Sequence, residues 1–504
     1  MEIRIQQGDI FEEACDLLII SIVKGMVRPT GAIATLNTKL EGELMRMIQD
    51  DKFQGKFGEW MVFPTFGKLH AKKVGVIGLG DKATYDIDHA RRIGALMIRH
   101  ARHASAKKVS TILHGADLVG MPARDVSQAL VEGMRLGAYH FHAYKEQEAK
   151  EAEEKEIKEV TIYERTRSRI AHAERGMEMA ELLSSATILA RDLVNTPSAE
   201  MTPMHLAEIA TKITEKGKDV HTKILSKEMM EELGMRAALA VARGSVHPPV
   251  GVHLSYKPKG KTKKRIVIVG KAVTFDSGGL SIKPADGMMT MKIDMAGAAT
   301  VLGLFDALPG LHLPLEVHGI FLGVENMPSG NAYRPGDVVK AMNGKTIEVL
   351  NTDAEGRVTL ADALSYAQTL EPDIIIDLAT LTGACVVALG EDIAAVLSND
   401  RKLAQRLLNA SREAGEPLWE LPLFAPYKDH VKSRIADVKN IGMRGAAGTI
   451  SAALFLSHFV GKTPWAHLDI AGPSYTERET RPDMPYGGTG YGVRLLARYL
   501  QGLA

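Results

Sequence analysis

A two-part α/β fold is predicted: a smaller N-terminal domain on a mostly parallel sheet, and a larger C-terminal domain whose mixed sheet is flanked by helices. Over the first 165 residues, short β-branched runs alternate with helix-spaced apolar residues, the pattern of an α/β domain. A chain of 504 residues exceeds what one compact domain usually holds. Strand-length apolar runs then resume beyond one long helical stretch, which divides the chain into a domain at 1–165, a linker helix at 166–195 and a second domain at 196–504.

In chain order, LLIISIV (17–23), KVGVIGLG (73–80) and KVSTILHG (108–115) read as strands ended by glycine or charge. DHARRIGALMIRHARHA (88–104) and the segment around Ala129 to Leu136 carry helical spacing. GLGDKA (78–83) has a Gly-x-Gly but no third glycine at the dinucleotide spacing, so it reads as a strand-end turn. The Glu/Lys/Ala run from Lys145 to Lys158 reads as a solvated helix or loop. Ser168 to Val194 reads as one helix, stopped at Asn195-Thr196-Pro197 because proline disfavours helical geometry in the residue before it.

The second domain opens on TPMHLAEIATKITEKG (202–217), a Thr-Pro helix entry. VGVHLSYKPKGKTKKRIVIVG (250–270), LEVHGIFLGV (315–324) and DIIIDLATLTG (373–383) read as strands of a buried sheet. The first is expected to fold as a hairpin, VHLSY against RIVIVG, with the lysine-rich tip as a soluble loop.

A net charge of +1 argues against nucleic-acid or membrane-surface partners, which call for a basic excess. Apolar runs such as Leu17 to Val23 are too short to span a bilayer. Cys15 and Cys385 stand far apart, outside any CxxC spacing, and read as reduced, buried thiols. The N-terminus lacks the basic and apolar regions of a signal peptide, and a cytoplasmic location is expected.

Seven ionisable residues interrupt segments otherwise rich in small and apolar residues. VGKAVTFDSGGLSIKP carries Lys271, Asp276 and Lys283; MKIDMAGAA carries Asp294; VLNTDAEGRVT carries Asp353, Glu355 and Arg357. Buried charges are costly unless they pair or hold metal. Four carboxylates against three cations, one able to be neutralised, is the stoichiometry of a two-cation site and points to a metallohydrolase. Oxygen donors suit Mn²⁺, Mg²⁺ and Zn²⁺, and bridging carboxylates hold two such ions about 3.5–4 Å apart. On an extended segment Asp353 and Glu355 leave the chain on one side, and Gly356 allows a turn after them. Asp276 closes a strand-like run before Gly278-Gly279, where backbone can approach a ligand closely. HExxH is absent, and Ser277 lacks the GxSxG elbow of a serine nucleophile. Lys271 could ligate only as a neutral amine, which an adjacent dication favours. Lys283 could stay protonated and stabilise an oxyanion; two surface lysines in salt bridges are the bland alternative for this pair.

Lys271-Ala-Val-Thr-Phe-Asp276-Ser-Gly-Gly, Lys283-Pro, Met291-Lys-Ile-Asp294 and Asn351-Thr-Asp353-Ala-Glu355-Gly-Arg357 closely resemble the leucyl aminopeptidase family, the cytosolic dimetal peptidases that include bacterial aminopeptidase A. ENMPSGNAYRPGDV (325–338), DLATLTGA (377–384), WAHLDIAG (465–472) and GGTGYGVRLL (487–496) extend the likeness over nearly all of the C-terminal 300 residues. Over the first 165 only the α/β pattern and length are similar.

The resemblance implies one metal (Mn²⁺ or Zn²⁺) on Asp276, Asp353 and Glu355, and a second on Lys271, Asp276, Asp294 and Glu355. It implies that a bridging water or hydroxide attacks the scissile carbonyl, that Lys283 steadies the resulting oxygen, and that Arg357 holds a bicarbonate acting as general base. Met291, Thr380, Gly383 and Ala471 would line an apolar pocket favouring Leu or Met; Leu381 would offer backbone to the substrate and Asn351 would brace the metal loop. A peptide with a free N-terminus is then the substrate, and a homohexamer the assembly. Two departures stand out: Val358 replaces the usual Leu, and Arg236 stands where a small residue is general. A DNA-binding architectural role is the alternative, suggested by the Arg/His cluster at 91–103 and opposed by the near-neutral charge. A catalytically dead scaffold is disfavoured because every metal and catalytic position matches.

Overall fold

The computed structural model describes residues 1–26, 28–116, 120–215 and 218–504. Two compact units are present, Met1–Ser184 with Arg478–Pro485, and Ser185–Glu477 with Tyr486–Ala504.

In the first unit, β1 (Glu2–Gln7), β2 (Leu17–Ile22), β3 (Trp60–Pro64), β4 (Lys73–Gly78), β5 (Lys108–Ile112) and β6 (Glu159–Glu164) form a sheet in the order β1-β6-β5-β2-β4-β3. Only β3 runs antiparallel to its neighbour. β2 is buried along its whole length, so it reads as a continuous apolar run rather than an alternating one. The expected helix at 88–104 spans Ile87–His103, and Asp86 starts it by accepting from the His89 amide. Its cationic side chains are partly used internally: buried Arg91 pairs with Glu132 at 2.8 Å and Asp88 at 3.1 Å, and Arg99 pairs with Glu479. The charged run at 145–158 contains the helix Glu146–Glu154, and the long helix covers Arg167–Asn195. Cys15 and Cys385 are both buried and unpaired.

The second unit carries an eight-stranded mixed sheet of β7 (Val220–Leu225), β8 (Val250–Tyr256), β9 (Arg265–Asp276), β10 (Glu316–Asn326), β13 (Ile374–Ala379), β14 (Ala394–Ser398), β15 (Leu418–Glu420) and β17 (Trp465–Asp469). Its order is β15-β14-β17-β13-β9-β10-β8-β7. A small sheet of β11 (Val338–Lys340), β12 (Thr346–Glu348) and β16 (Val438–Lys439) lies in the same unit. The helix expected at 202–217 spans Pro203–Glu215, and residues 216 and 217 lie outside the described residues. Val358 is fully buried, and Arg236 is exposed at the start of the helix Arg236–Ala242.

The expected hairpin between 250 and 270 does not form. β10 inserts between its two arms, antiparallel to β8 and parallel to β9. β8 pairs instead with β7 on its other side. β9 and β10 are long and almost wholly buried, so the sheet gains more by joining them centrally than by closing a local turn. The apolar stretch 285–311 is long enough by composition to cross a membrane, unlike the shorter runs noted above, yet two-thirds of its most apolar window is buried inside the protein, and its main part is the core helix Ala296–Leu311.

Glycines permit a close helix contact in the first unit, between Ile87–His103 and Ala123–Ala138. A β-carbon on Gly133 would lie 1.8 Å from the Arg91 carbonyl oxygen, and one on Gly94 would lie 2.1 Å from that of Leu130. Gly133→Ala is therefore expected to destabilise this unit by about 1–3 kcal/mol through overpacking, despite alanine's better helix propensity. Denaturant unfolding checks this, and an unchanged midpoint would contradict it.

Candidate metal centre

Four neighbouring parallel strands end at one edge of the second unit's sheet. β10, β9, β13 and β17 finish at Asn326, Asp276, Ala379 and Asp469; Lys271 and Asp276 lie on β9, Lys283 and Asp294 follow it, and Asp353, Glu355 and Arg357 follow β12. The carboxyl edge of parallel strands is where loops can gather a site. Lys271 shares the face of β9 that bears Val267 and Val269, the face packed against the helix Glu355–Gln368. After Asp276 the chain turns through Gly278 and Gly279, at φ +85° and +63°. β-Carbons there would lie 2.8 Å from Asp353 Oδ1 and 2.7 Å from Asn326 Oδ1 respectively, so only glycine fits this turn.

The segment bearing Asp353 and Glu355 is not extended. Asp353 sits in a turn, its amide donating to Asn351 Oδ1 at 2.9 Å, and Glu355 is the first residue of a helix. Thr352 locks the turn by donating to the Gly278 carbonyl at 2.7 Å. Gly356 makes no turn either. It lies in the helix's first turn, where a β-carbon would stand 2.4 Å from Lys271 Cε, so the glycine makes room for the lysine.

These constraints bring six of the expected residues together. Lys271 Nζ lies 2.6 Å from Asp294 and 2.8 Å from Glu355 Oε1, and Lys283 Nζ lies 2.8 Å from Asp276 Oδ2 and 2.5 Å from Asp353 Oδ1. One oxygen each from Asp276, Asp353 and Glu355 falls within 4.8 Å of the others. Asp276 Oδ1 also accepts from Asn326 Nδ2 at 2.8 Å and the Gly278 amide at 2.9 Å. Burial holds Asp294 well above the usual carboxylate range, and it raises Asp353; burial and then Glu355 raise Asp276. Burial works against the charge on Lys271, but Asp294 and Glu355 outweigh it and hold the amine above the ordinary lysine value. Lys283 is raised likewise, against burial, chiefly by Asp276.

The donor set fits divalent cations. Buried oxygens Asp294 Oδ2, Asp353 Oδ1 and Glu355 Oε1 touch lysine ammoniums but make no aligned hydrogen bond. Two ammoniums do not balance four carboxylates, and every carboxylate oxygen is a hard donor.

The remaining expected residues surround this cluster. Thr380 donates to Asp294 Oδ1 at 2.7 Å and accepts from Lys271 at 3.2 Å through its carbonyl. Arg357 donates to the Asn440 carbonyl at 3.0 Å, while its Nε is buried without a hydrogen bond; burial lowers its pKa. The Leu381 and Ala471 amides both reach Asp469. Half-buried Met291 begins the short turn that leads to Asp294, and exposed Gly383 opens the helix Gly383–Leu389; neither makes a hydrogen bond to the carboxylates. Sequence reasoning missed Asn326, Asn440 and Asp469. Asn326 and Asp469 lie inside matched motifs, but nothing local marked buried Asn440, which ties Asn351 and Leu350 together from beyond β16.

Residues 188–497 match the catalytic domain of the cytosol aminopeptidase family, and residues 19–148 match its N-terminal domain. The chain is similar to the probable cytosol aminopeptidase of Persephonella marina, 42% identical over 99% of each chain. It is likewise similar to that of Thermosynechococcus vestitus, 43% identical over 97% of each. Among solved structures, it superposes on a lysine-to-glutamate mutant of tomato leucine aminopeptidase with a TM-score of 0.88, 34% identity and coverage of 100% of this chain and 96% of that one. It superposes on the bottromycin maturation enzyme BotP in complex with Mn with a TM-score of 0.85, 36% identity and coverage of 97% and 100%.

Gly356→Ala is expected to push Lys271 out of its channel and weaken Mn²⁺ binding by about 10-fold or more, with the fold intact. Calorimetric titration with Mn²⁺ measures this, and an unaltered affinity would contradict the packing argument.

Proposed function

The chain belongs to the cytosol aminopeptidase family and is an aminopeptidase, a metal-binding hydrolase; from that premise we propose that it removes N-terminal residues, Leu and Met by preference, from peptides at a two-cation centre. The observation that carries this reading is the convergence of Asp276, Asp353 and Glu355 within 4.8 Å, with Asp294 on the shared Lys271 and oxygens of Asp294, Asp353 and Glu355 lacking aligned hydrogen bonds. Asp276, Asp353 and Glu355 would hold one cation, and Lys271, Asp276, Asp294 and Glu355 the other, with manganese or zinc as the candidate ions. When bound, the cations supply Lewis-acid polarisation of the scissile carbonyl and a lowered pKa for the attacking water.

The chain's own groups do the rest. Lys283, held between Asp276 and Asp353 and partly open to solvent, would donate to the carbonyl oxygen as negative charge develops there. Arg357 keeps a buried Nε–H without a protein acceptor, which suits a bidentate oxyanion such as bicarbonate in the role of proton carrier. Thr380 orients Asp294. Met291, Thr380, Gly383 and Ala471 would form the pocket for the first side chain, with Leu381 offering backbone and Asn351 bracing the Asp353 turn. The names of the relatives support a cytosolic setting. A homohexamer completes the reading, and exposed apolar side chains such as Val387 and Trp419 suit a subunit contact.

Purified protein supplied with Mn²⁺ is expected to hydrolyse leucine amide, and Asp353→Ala to reduce turnover more than about 10²-fold, beyond the loss typical of outer-shell changes. Absence of hydrolysis, or full turnover in the variant, would refute the assignment. In the cation-free protein Lys271 is held in its charged form, so ligation through nitrogen must release a proton. Lowering the pH therefore opposes binding, and apparent Mn²⁺ affinity is expected to rise with pH. Calorimetry in buffers of differing ionisation enthalpy should report net proton release; a pH-independent affinity would contradict it.

A further inference from the structure

We propose that Asp469 is a positioning residue for the reaction: it holds the loops after β13 and β17 that face the substrate, and through Thr380 it sets the Asp294 carboxylate and the Lys271 amine. The inference rests on the aminopeptidase reading above and adds a residue outside the ligand and pocket sets.

Asp469 is fully buried at the end of β17. Its Oδ1 accepts from the amides of Leu381 at 3.3 Å, Thr382 at 3.4 Å and Ala471 at 3.3 Å, long contacts because three donors share one oxygen. Its Oδ2 accepts from Thr382 Oγ1 at 2.6 Å. That contact commits the Thr382 hydrogen, so Thr449 must donate in the 2.8 Å contact between the two hydroxyls. Thr382 Oγ1 in turn accepts from the Cys385 amide at 3.2 Å and caps the helix Gly383–Leu389. One carboxylate thereby fixes the whole turn from Leu381 into that helix.

Register explains why this residue can do so. Asp469 stands opposite Ala379 in the parallel pair β13/β17, and the Ile470 amide donates to the Ala379 carbonyl at 2.8 Å. The side chain therefore has only one strand spacing, about 4.8 Å, to cross. Thr380 is the next residue in that loop. It contacts Asp294 through its hydroxyl and Lys271 through its carbonyl, so a shift of the loop moves both groups. An apolar side chain at 469 would leave three amides without their acceptor.

The test uses full-length protein with Mn²⁺ and compares kcat and KM on leucine and alanine p-nitroanilides, together with bound manganese measured by elemental analysis. Asp469→Asn and Thr382→Val are each expected to lose about 10- to 100-fold in kcat/KM, as other supporting contacts of metal sites do. The Leu-over-Ala preference should narrow and manganese retention weaken. Thr382→Ser, which restores the hydroxyl, should recover most of the loss seen with Thr382→Val. If Asp469→Asn does not fold, the Thr382 pair decides alone. Activity that falls only in proportion to the folded fraction, with the Leu/Ala ratio and manganese content unchanged, overturns the proposal. An unsubstituted chain that cleaves neither substrate would instead overturn the aminopeptidase reading.

Discussion

Like charges buried together must be compensated, and this constraint organises the second unit. Asp276, Asp294 and Glu355 are each at most 5% exposed in their side chains, and Asp353 stands beside them. Carboxylates in such surroundings favour the neutral form unless cations reach them. Lys271 supplies part of that compensation to Asp294 and Glu355, and Lys283 to Asp276 and Asp353. Divalent cations can supply the rest, and that requirement ties the fold of this unit to its chemistry.

The surrounding architecture keeps the repelling groups in place. β9 and β10 are locked in a long parallel register that sets Asp276 beside Asn326, whose amide nitrogen bonds both the Asp276 carboxylate and the Thr352 carbonyl. Tyr333 donates to that same carbonyl at 2.8 Å. Glycines permit the crowding: Gly278 and Gly279 in the turn, and Gly356 against the Lys271 side chain. The site is thus a rigid strand edge with short loops tied to it. Asp469 ties the loops after β13 and β17 together much as Asn326 ties Asp276 to the Thr352 turn.

Much of this could be read from residues, and the failures have physical causes. The alternating strand and helix pattern was legible because β2, β9 and β13 are dominated by apolar residues and the Ile87–His103 helix carries a clear start at Asp86. The acids were legible because charge is improbable among small apolar neighbours. Pairing was not legible at 250–270, since two adjacent strands with a loop between them look like a hairpin whether or not a third strand enters from far along the chain. Local geometry around Asp353 was misjudged for a similar reason. Residue spacing alone cannot distinguish an extended segment from a turn that leads into a helix, and the local Asn351 bond to the Asp353 amide is joined by long-range bonds from Thr352 and Asn440. Gly356 resembles a turn residue, while its purpose depends on a lysine that reaches the helix from β9.

Anomalous diffraction from crystals soaked in Mn²⁺ tests the central claim most directly. Two peaks are predicted at the strand edge, with oxygens of Asp276, Asp294, Asp353 and Glu355 within about 2.6 Å of one or the other. Peaks elsewhere, or none at this cluster under saturating Mn²⁺, would contradict the account.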